Sequence, residues 1–120
     1  NIKERIETHY FVVAVNQQSQ IVGFSSITPQ GYLHSMFVHK DFQGEGIATM
    51  LLEEIERYAI TAGITRITSE VSLTARPFFE KKGYVVEKEQ KRKANQLSLT
   101  NFLMAKEVAF LEYYNKKVTD

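Results

Sequence analysis

The sequence predicts a mixed α/β (α+β) domain: a mostly antiparallel, twisted central sheet with one parallel strand–helix–strand crossover, flanked by helices. Three observations predict it. Three aromatic and β-branched runs, 10–15 (YFVVAV), 20–27 (QIVGFSSI) and 32–38 (YLHSMFV), follow one another across short polar links, as in an antiparallel meander. A long helix comes next, with Ala48, Leu51, Leu52, Ile55, Tyr58, Ala59 and Ala62 at helical spacing. A further short strand, 66–71 (RITSEV), then completes a strand–helix–strand unit, whose right-handed crossover makes its two strands parallel.

Each element has its own signals. Residues 1–8 (NIKERIET) carry Ile2 and Ile6 four apart, like the last turns of a helix. Asn16-Gln17-Gln18-Ser19 is a polar hairpin turn, and Gly23 within the second strand marks a bulge or a close backbone approach. Pro29-Gln30-Gly31 turns the chain into the third strand, on which Tyr32, His34, Met36 and Val38 share one face. Lys40, Asp41 and Phe42 form a loop before the helix. Along the helix, Glu53, Glu54, Glu56 and Arg57 face water, with Glu53 and Arg57 paired four apart, and Gly63 stops it.

The second half is shorter-grained. Thr74 can cap a second helix with Pro77 in its first turn, where the missing N–H costs little; it runs to Lys82 and Gly83 ends it. Residues 84–90 and 97–106 are the last two strands, joined by a polar turn around Lys93-Ala94-Asn95. Residues 108–117 (VAFLEYYNKK) read as a terminal amphipathic helix that packs on its own core or on a second subunit, so a homodimer is an expected partner.

The totals exclude several classes. A chain of 120 residues without repeat, linker or low-complexity run is one domain, residues 1–120, with a single core. A net charge of +1 argues against a nucleic-acid surface, and the absence of cysteine excludes disulfides, thiolate nucleophiles and sulfur-ligated zinc. His9, His34 and His39 do not have metal-ligand spacing, so no metal is expected. No apolar run approaches the ~20 residues of a membrane span and no signal peptide is visible, so a cytoplasmic location is expected.

Chemistry first enters at Gln43-Gly44-Glu45-Gly46, which opens the long helix. A helix beginning on glycines presents uncovered backbone N–H groups at the positive end of its dipole, a natural seat for a phosphate. The plainer alternative is that the glycines only let a loop enter a helix. Two phosphate loops do not fit: the Gly-Lys-Ser/Thr ending of the P-loop is absent, and Thr49 stands where the dinucleotide fingerprint needs its third glycine.

Gln43-Gly44-Glu45-Gly46-Ile47-Ala48 resembles the Gln/Arg-x-x-Gly-x-Gly/Ala motif of the GNAT acetyltransferase superfamily, in the same strand–loop–helix context. Residues 72–84 (SLTARPFFEKKGY) resemble a second segment of that family, Asn-x-x-Ala-x-x-Phe-Tyr-Glu-Lys-x-Gly-Phe. The two motifs span residues 32–84, and the element order resembles the GNAT fold from its second strand onward. The resemblance places the family's first strand and first helix upstream of Asn1, which is not a methionine. It implies acetyl transfer from acetyl-coenzyme A to a small-molecule or peptide amine by direct attack in a ternary complex, without nucleic acid or membrane. The backbone of Met36, Phe37 and Val38 would hold the pantetheine. Gln43, Gly44, Glu45, Gly46, Ile47, Ala48 and Thr49 would hold the pyrophosphate, with Arg76 and Lys81 reaching the adenosine phosphates unless they are simply solvated.

Counting back nine residues from Gln43, as the family does to find a base, reaches His34. Histidine's ordinary pKa suits proton transfer near neutrality, and the alternative is a histidine merely packed on a sheet face. Where the family often has a tyrosine to protonate the leaving thiolate this chain has Phe79, and where it has asparagine this chain has Ser72. Either the thiolate leaves unassisted, or Ser72 or Tyr32 supplies a hydroxyl, or the chain is an acyl-coenzyme A binding or sensing module. Phe78 and Phe79 also read as core aromatics, with Phe79 bordering the coenzyme.

Overall fold

A computed structural model describes residues 9–94 and 97–108. Its elements run in the order β1 (Tyr10–Val15), β2 (Ile21–Ile27), β3 (Leu33–Val38), α1 (Ile47–Thr61), β4 (Arg66–Ser72), α2 (Arg76–Lys81), β5 (Val85–Ala94) and β6 (Leu97–Glu107), with a 3-10 turn at Lys40–Phe42. The helical ends expected in residues 1–8 and 109–117 lie outside the described residues, as do the two residues linking β5 to β6. Val108 is described and buried, and its N–H donates to Thr65 O at 2.9 Å.

The strands form two antiparallel three-stranded sheets, ordered β1-β2-β3 and β4-β6-β5. One parallel bridge, Tyr32 to Thr68, joins them. The expected crossover therefore brings β3 and β4 together at one end alone. The Asn16 side chain closes the first hairpin, accepting from Gln18 and Gln20 N–H, while Ser19 takes φ 64°. At the start of β3, opposite β2, the register steps from Ser26↔Ser35 to Ile27↔Leu33 and leaves His34 as the extra residue of a bulge.

Gly23 shows the close approach, with the nearby bulges one position or more away in the ladders. A Cβ on it would lie 2.8 Å from Phe37 O and 3.2 Å from both Ile47 Cγ2 and Leu51 Cδ1. Its strand face therefore meets the start of α1. Pleating then turns Val13, Phe24 and Phe37 to the opposite face, where each is substantially exposed. Leu52, Ile55 and Ala59 of α1 join Ile27, Leu33, Ile67, Val71, Phe79, Phe102 and Met104 in one core.

Several local expectations are corrected. Arg57 pairs with Glu54, three residues away at 2.5 Å, instead of Glu53. Ala62 is the exposed C-cap of α1 and not part of its apolar face. The first residue of the second helix is preceded by Ala75 with no side-chain cap. Thr74 does not cap it; Ser72 Oγ accepts the Ala75 N–H at 3.1 Å. β5 extends to Ala94, through the expected turn. Gly63 and Gly83 do end their helices at φ 80° and 94°.

Glu56 does not face water. Its carboxylate, 18% exposed, accepts from Tyr84 OH at 2.9 Å and from Lys106 Nζ at 3.1 Å, tying α1 to the second sheet. Burial, and then the adjacent Glu56 charge, push the Tyr84 phenol well above its ordinary range. The unfolded phenol ionises from about pH 10 while the folded one holds its proton, so this contribution is complete below about pH 10 and declines as pH rises above it. Chemical denaturation between pH 8 and 11 should show wild-type stability falling more steeply above pH 10 than that of Tyr84→Phe. Parallel curves for the two proteins would contradict the assignment.

Candidate functional site

Past the Tyr32–Thr68 bridge, β3 and β4 share no ladder, and a cavity of about 240 Å³ opens between them. His34 and Met36 line it from β3, Glu70 and Ser72 from β4, and Ala75 and Phe79 from the second helix and its lead-in. Two contacts hold the closed end: Thr68 N–H donates to Gly31 O at 2.9 Å, and Ser69 Oγ donates to Leu33 O at 3.0 Å. A larger cavity of about 510 Å³ lies between the end of β3, the first turn of α1 and α2. Met36, Ala75 and Phe79 line both, so the two cavities meet there.

The larger cavity gathers Met36, Val38, Gln43, Gly44, Gly46, Ile47, Ala48, Thr49 and Phe79 of the residues singled out in the sequence. Gly44 and Gly46 both take left-handed backbone, φ 83° and 81°, and Gly46 precedes α1 without any side-chain cap. No acidic residue occupies the first turn of α1. The opening N–H groups of a helix lack intrahelical acceptors, so this turn faces the cavity with donors and positive potential. Gln43 Nε2 donates to Val38 O at 3.3 Å and braces the loop against β3. Phe42 and Phe78 complete the wall; neither was assigned from sequence, where both read as ordinary loop and core aromatics.

Other candidates lie elsewhere. Phe37 points away on the exposed face, so only its backbone is near the site, and Glu45 is exposed. Arg76 binds Glu80 through Nε at 3.2 Å with its guanidinium 4.6 Å from the Phe102 ring centroid, and Lys81 is exposed; neither lines either of these two cavities. His39 caps the 3-10 turn, its Nδ1 accepting from Asp41 N–H at 3.1 Å.

The smaller cavity holds the polar groups. The bulge at His34 interrupts the simple alternation expected of Tyr32, His34 and Met36, yet His34 and Met36 still share this cavity. The His34 ring lies edge-on to Tyr32 at 6.1 Å and 5.3 Å from the ring of His9. His9 carries no sequence signal for this meeting, since only folding of the meander brings it there. Tyr32 OH donates to Glu70 Oε1 at 3.0 Å, which commits that hydroxyl across the gap. Phe79, 4% exposed, is held edge-to-face between Phe78 and Tyr84 at 5.4 and 5.2 Å. Among the described residues, no three histidine or carboxylate side chains cluster as metal ligands would, and no helix is long and apolar enough to cross a membrane.

Residues 1–107 match a family model described as an acetyltransferase (GNAT) domain. Over 103 residues the chain is 30% identical to the uncharacterized N-acetyltransferase YafP of Escherichia coli K12, covering 85% of this chain and 63% of that protein. It is 32% identical over 74 residues to the peptidyl-lysine N-acetyltransferase YjaB of Salmonella typhimurium LT2, covering 62% of this chain and 49% of that protein. A GCN5-related N-acetyltransferase from Rhodopseudomonas palustris superposes with a TM-score of 0.77 at 28% identity, over 88% of this chain and 65% of that one. The chain thus spans less than two thirds of the length of each of these relatives.

The glycine turn makes a prediction of its own. A Cβ on Gly46 would meet nothing within 4 Å, so only the left-handed backbone opposes a side chain there. Gly46→Ala should cost about 1–2 kcal/mol in urea unfolding. An unchanged midpoint would mean the turn does not need that conformation.

Proposed function

We propose, on the premise that this chain belongs to the GNAT acetyltransferase family, that it moves an acetyl group from acetyl-coenzyme A to an amine by direct attack in a ternary complex. The observation that carries this reading is the larger cavity, where the end of β3 and the uncapped glycine turn converge on one space. In this reading the β3 backbone at Met36, Phe37 and Val38 holds the pantetheine. The first-turn N–H groups of α1, beside Gly44 and Gly46, hold the pyrophosphate. Arg76 and Lys81, outside both cavities, are left for the coenzyme's outer phosphates.

The reaction sits where the cavities meet. An alkylammonium with pKa near ~10.4 is about three units too protonated at neutral pH, a deficit of roughly 4–5 kcal/mol. His34 takes that proton, directly or through a water. The amine nitrogen bonds to the thioester carbonyl carbon as the carbonyl electrons move to oxygen. Backbone N–H groups along the open edge of β3 stabilise that oxyanion. Collapse breaks the carbon–sulfur bond; the nitrogen sheds its second proton, which passes through Ser72 or a water to the departing sulfur, and His34 returns the first to solvent. Ser72 is the preferred hydroxyl because Tyr32 OH already donates to Glu70.

Phe79 motivates a second reading, an acyl-coenzyme A binding or sensing module, since a phenyl ring donates no proton. Saturating acetyl-coenzyme A should raise the thermal midpoint by several degrees, and release of free thiol should depend on an amine from a chemically diverse panel. Binding without turnover on any amine favours the module, and no stabilisation would sink both readings.

If His34 is the base, His34→Ala should lower kcat about 10²–10⁴-fold and change the pH–rate profile while leaving coenzyme affinity near that of wild type. An unchanged rate and profile would remove His34 from the mechanism.

A further inference from the structure

We propose that the site accepts acyl-coenzyme A thioesters longer than acetyl, with Ala75 and Phe79 setting the chain length it admits. The inference rests on the coenzyme reading above and adds the class of acyl donor. Under that reading the thioester lies where the two cavities meet, and the residues common to both are Met36, Ala75 and Phe79, all apolar. The acyl group then extends into the smaller cavity, whose lining is mixed. Leu33, Met36, Val71, Ala75 and Phe79 are apolar, while His34, Ser35, Ser69, Glu70 and Ser72 are polar. An acyl chain can contact the apolar residues while the polar ones meet an amine. A volume of about 240 Å³ is far more than the methyl of an acetyl group occupies.

Two residues shape the entry. Phe79 is fixed by its edge-to-face contacts with Phe78 and Tyr84, so it forms a rigid wall that does not swing aside. It has no hydroxyl, so a methylene passing along it strips no polar atom of water. Ala75, just before α2, is the smallest of the junction side chains and leaves the passage wide. Each methylene buried there should tighten binding up to about fourfold.

The test is direct binding by calorimetry, with coenzyme A, acetyl-, propionyl- and butyryl-coenzyme A, which needs no knowledge of the acceptor. Wild type should bind propionyl-coenzyme A at least as tightly as acetyl-coenzyme A, with butyryl within about tenfold. Ala75→Leu, which narrows the junction, should weaken propionyl and butyryl binding about tenfold relative to acetyl. Phe79→Tyr should shift the same ratio in the same direction. If acetyl-coenzyme A binds and propionyl-coenzyme A binds more than about tenfold worse, the length proposal is overturned and the coenzyme reading stands. If coenzyme A and all its thioesters fail to bind, the coenzyme reading falls and takes this one with it. Should Ala75→Leu not fold by circular dichroism, Ala75→Val is measured in its place, and the wild-type series decides by itself.

Discussion

The structure depends on β3 and β4 being fastened at one end and left apart beyond it. The fastening is local and specific. Gly31, at φ 93°, lets the turn before β3 lie so close to Arg66 O that any Cβ there would collide with it. The Thr68 N–H then reaches Gly31 O, and Ser69 Oγ reaches Leu33 O. Beyond these contacts no ladder continues, and the chain fills part of the gap with Ala75 and Phe79 from the second helix and its lead-in. An open strand edge inside a fold is a liability unless something pairs with it. Here it lines a cavity, so the edge is available to a ligand with amide groups of its own.

The same constraint explains how α1 is aimed. Its first turns press on Gly23, where any side chain would push them away from β2. Its middle is tied to the second sheet through Glu56, Tyr84 and Lys106. These two anchors lie on different sheets, so the helix also sets how far the sheets can part. With both anchors in place, the uncapped end of α1 is directed at the larger cavity. A partly buried carboxylate between a phenol and an ammonium gives modest net stability, but losing one partner would strand the others. Its value here is positional.

Much of this was legible in the sequence because it rests on local patterns. The meander, the crossover and the helix stops follow from strand alternation, helical spacing and glycines at chain reversals. Most of the residues that line the larger cavity from β3 and α1 were legible for the same reason: Met36 to Thr49 is a continuous run, so its geometry is set by one strand, one turn and one helix end. What failed depended on partners distant in sequence. Glu56 read as a solvated helix residue because nothing nearby in the chain reveals Tyr84 or Lys106. His9 carried no argument because its meeting with His34 arises from the folded meander. Thr74 looked like a cap by residue type, but Ser72, at the end of β4, already holds the Ala75 N–H.

Phe79 is where residue type and geometry must be weighed together. As a phenyl ring it would leave the departing sulfur of the proposed reaction without the proton donor that a tyrosine would offer. Its surroundings show what it does offer. The ring is almost wholly buried and gripped by two aromatic neighbours, so it fixes the shape of the junction. A hydroxyl added to so buried a ring would need a partner or would cost about 1–3 kcal/mol. A thiol, with an ordinary pKa near ~8.5, is a good leaving group beside an amine near ~10.4, so the donor is the more dispensable half of the proton traffic. The half that cannot be dispensed with is deprotonation of the attacking amine. In the proposed reaction, catalysis would therefore turn on His34, and Phe79 would be left to shape which acyl group is presented.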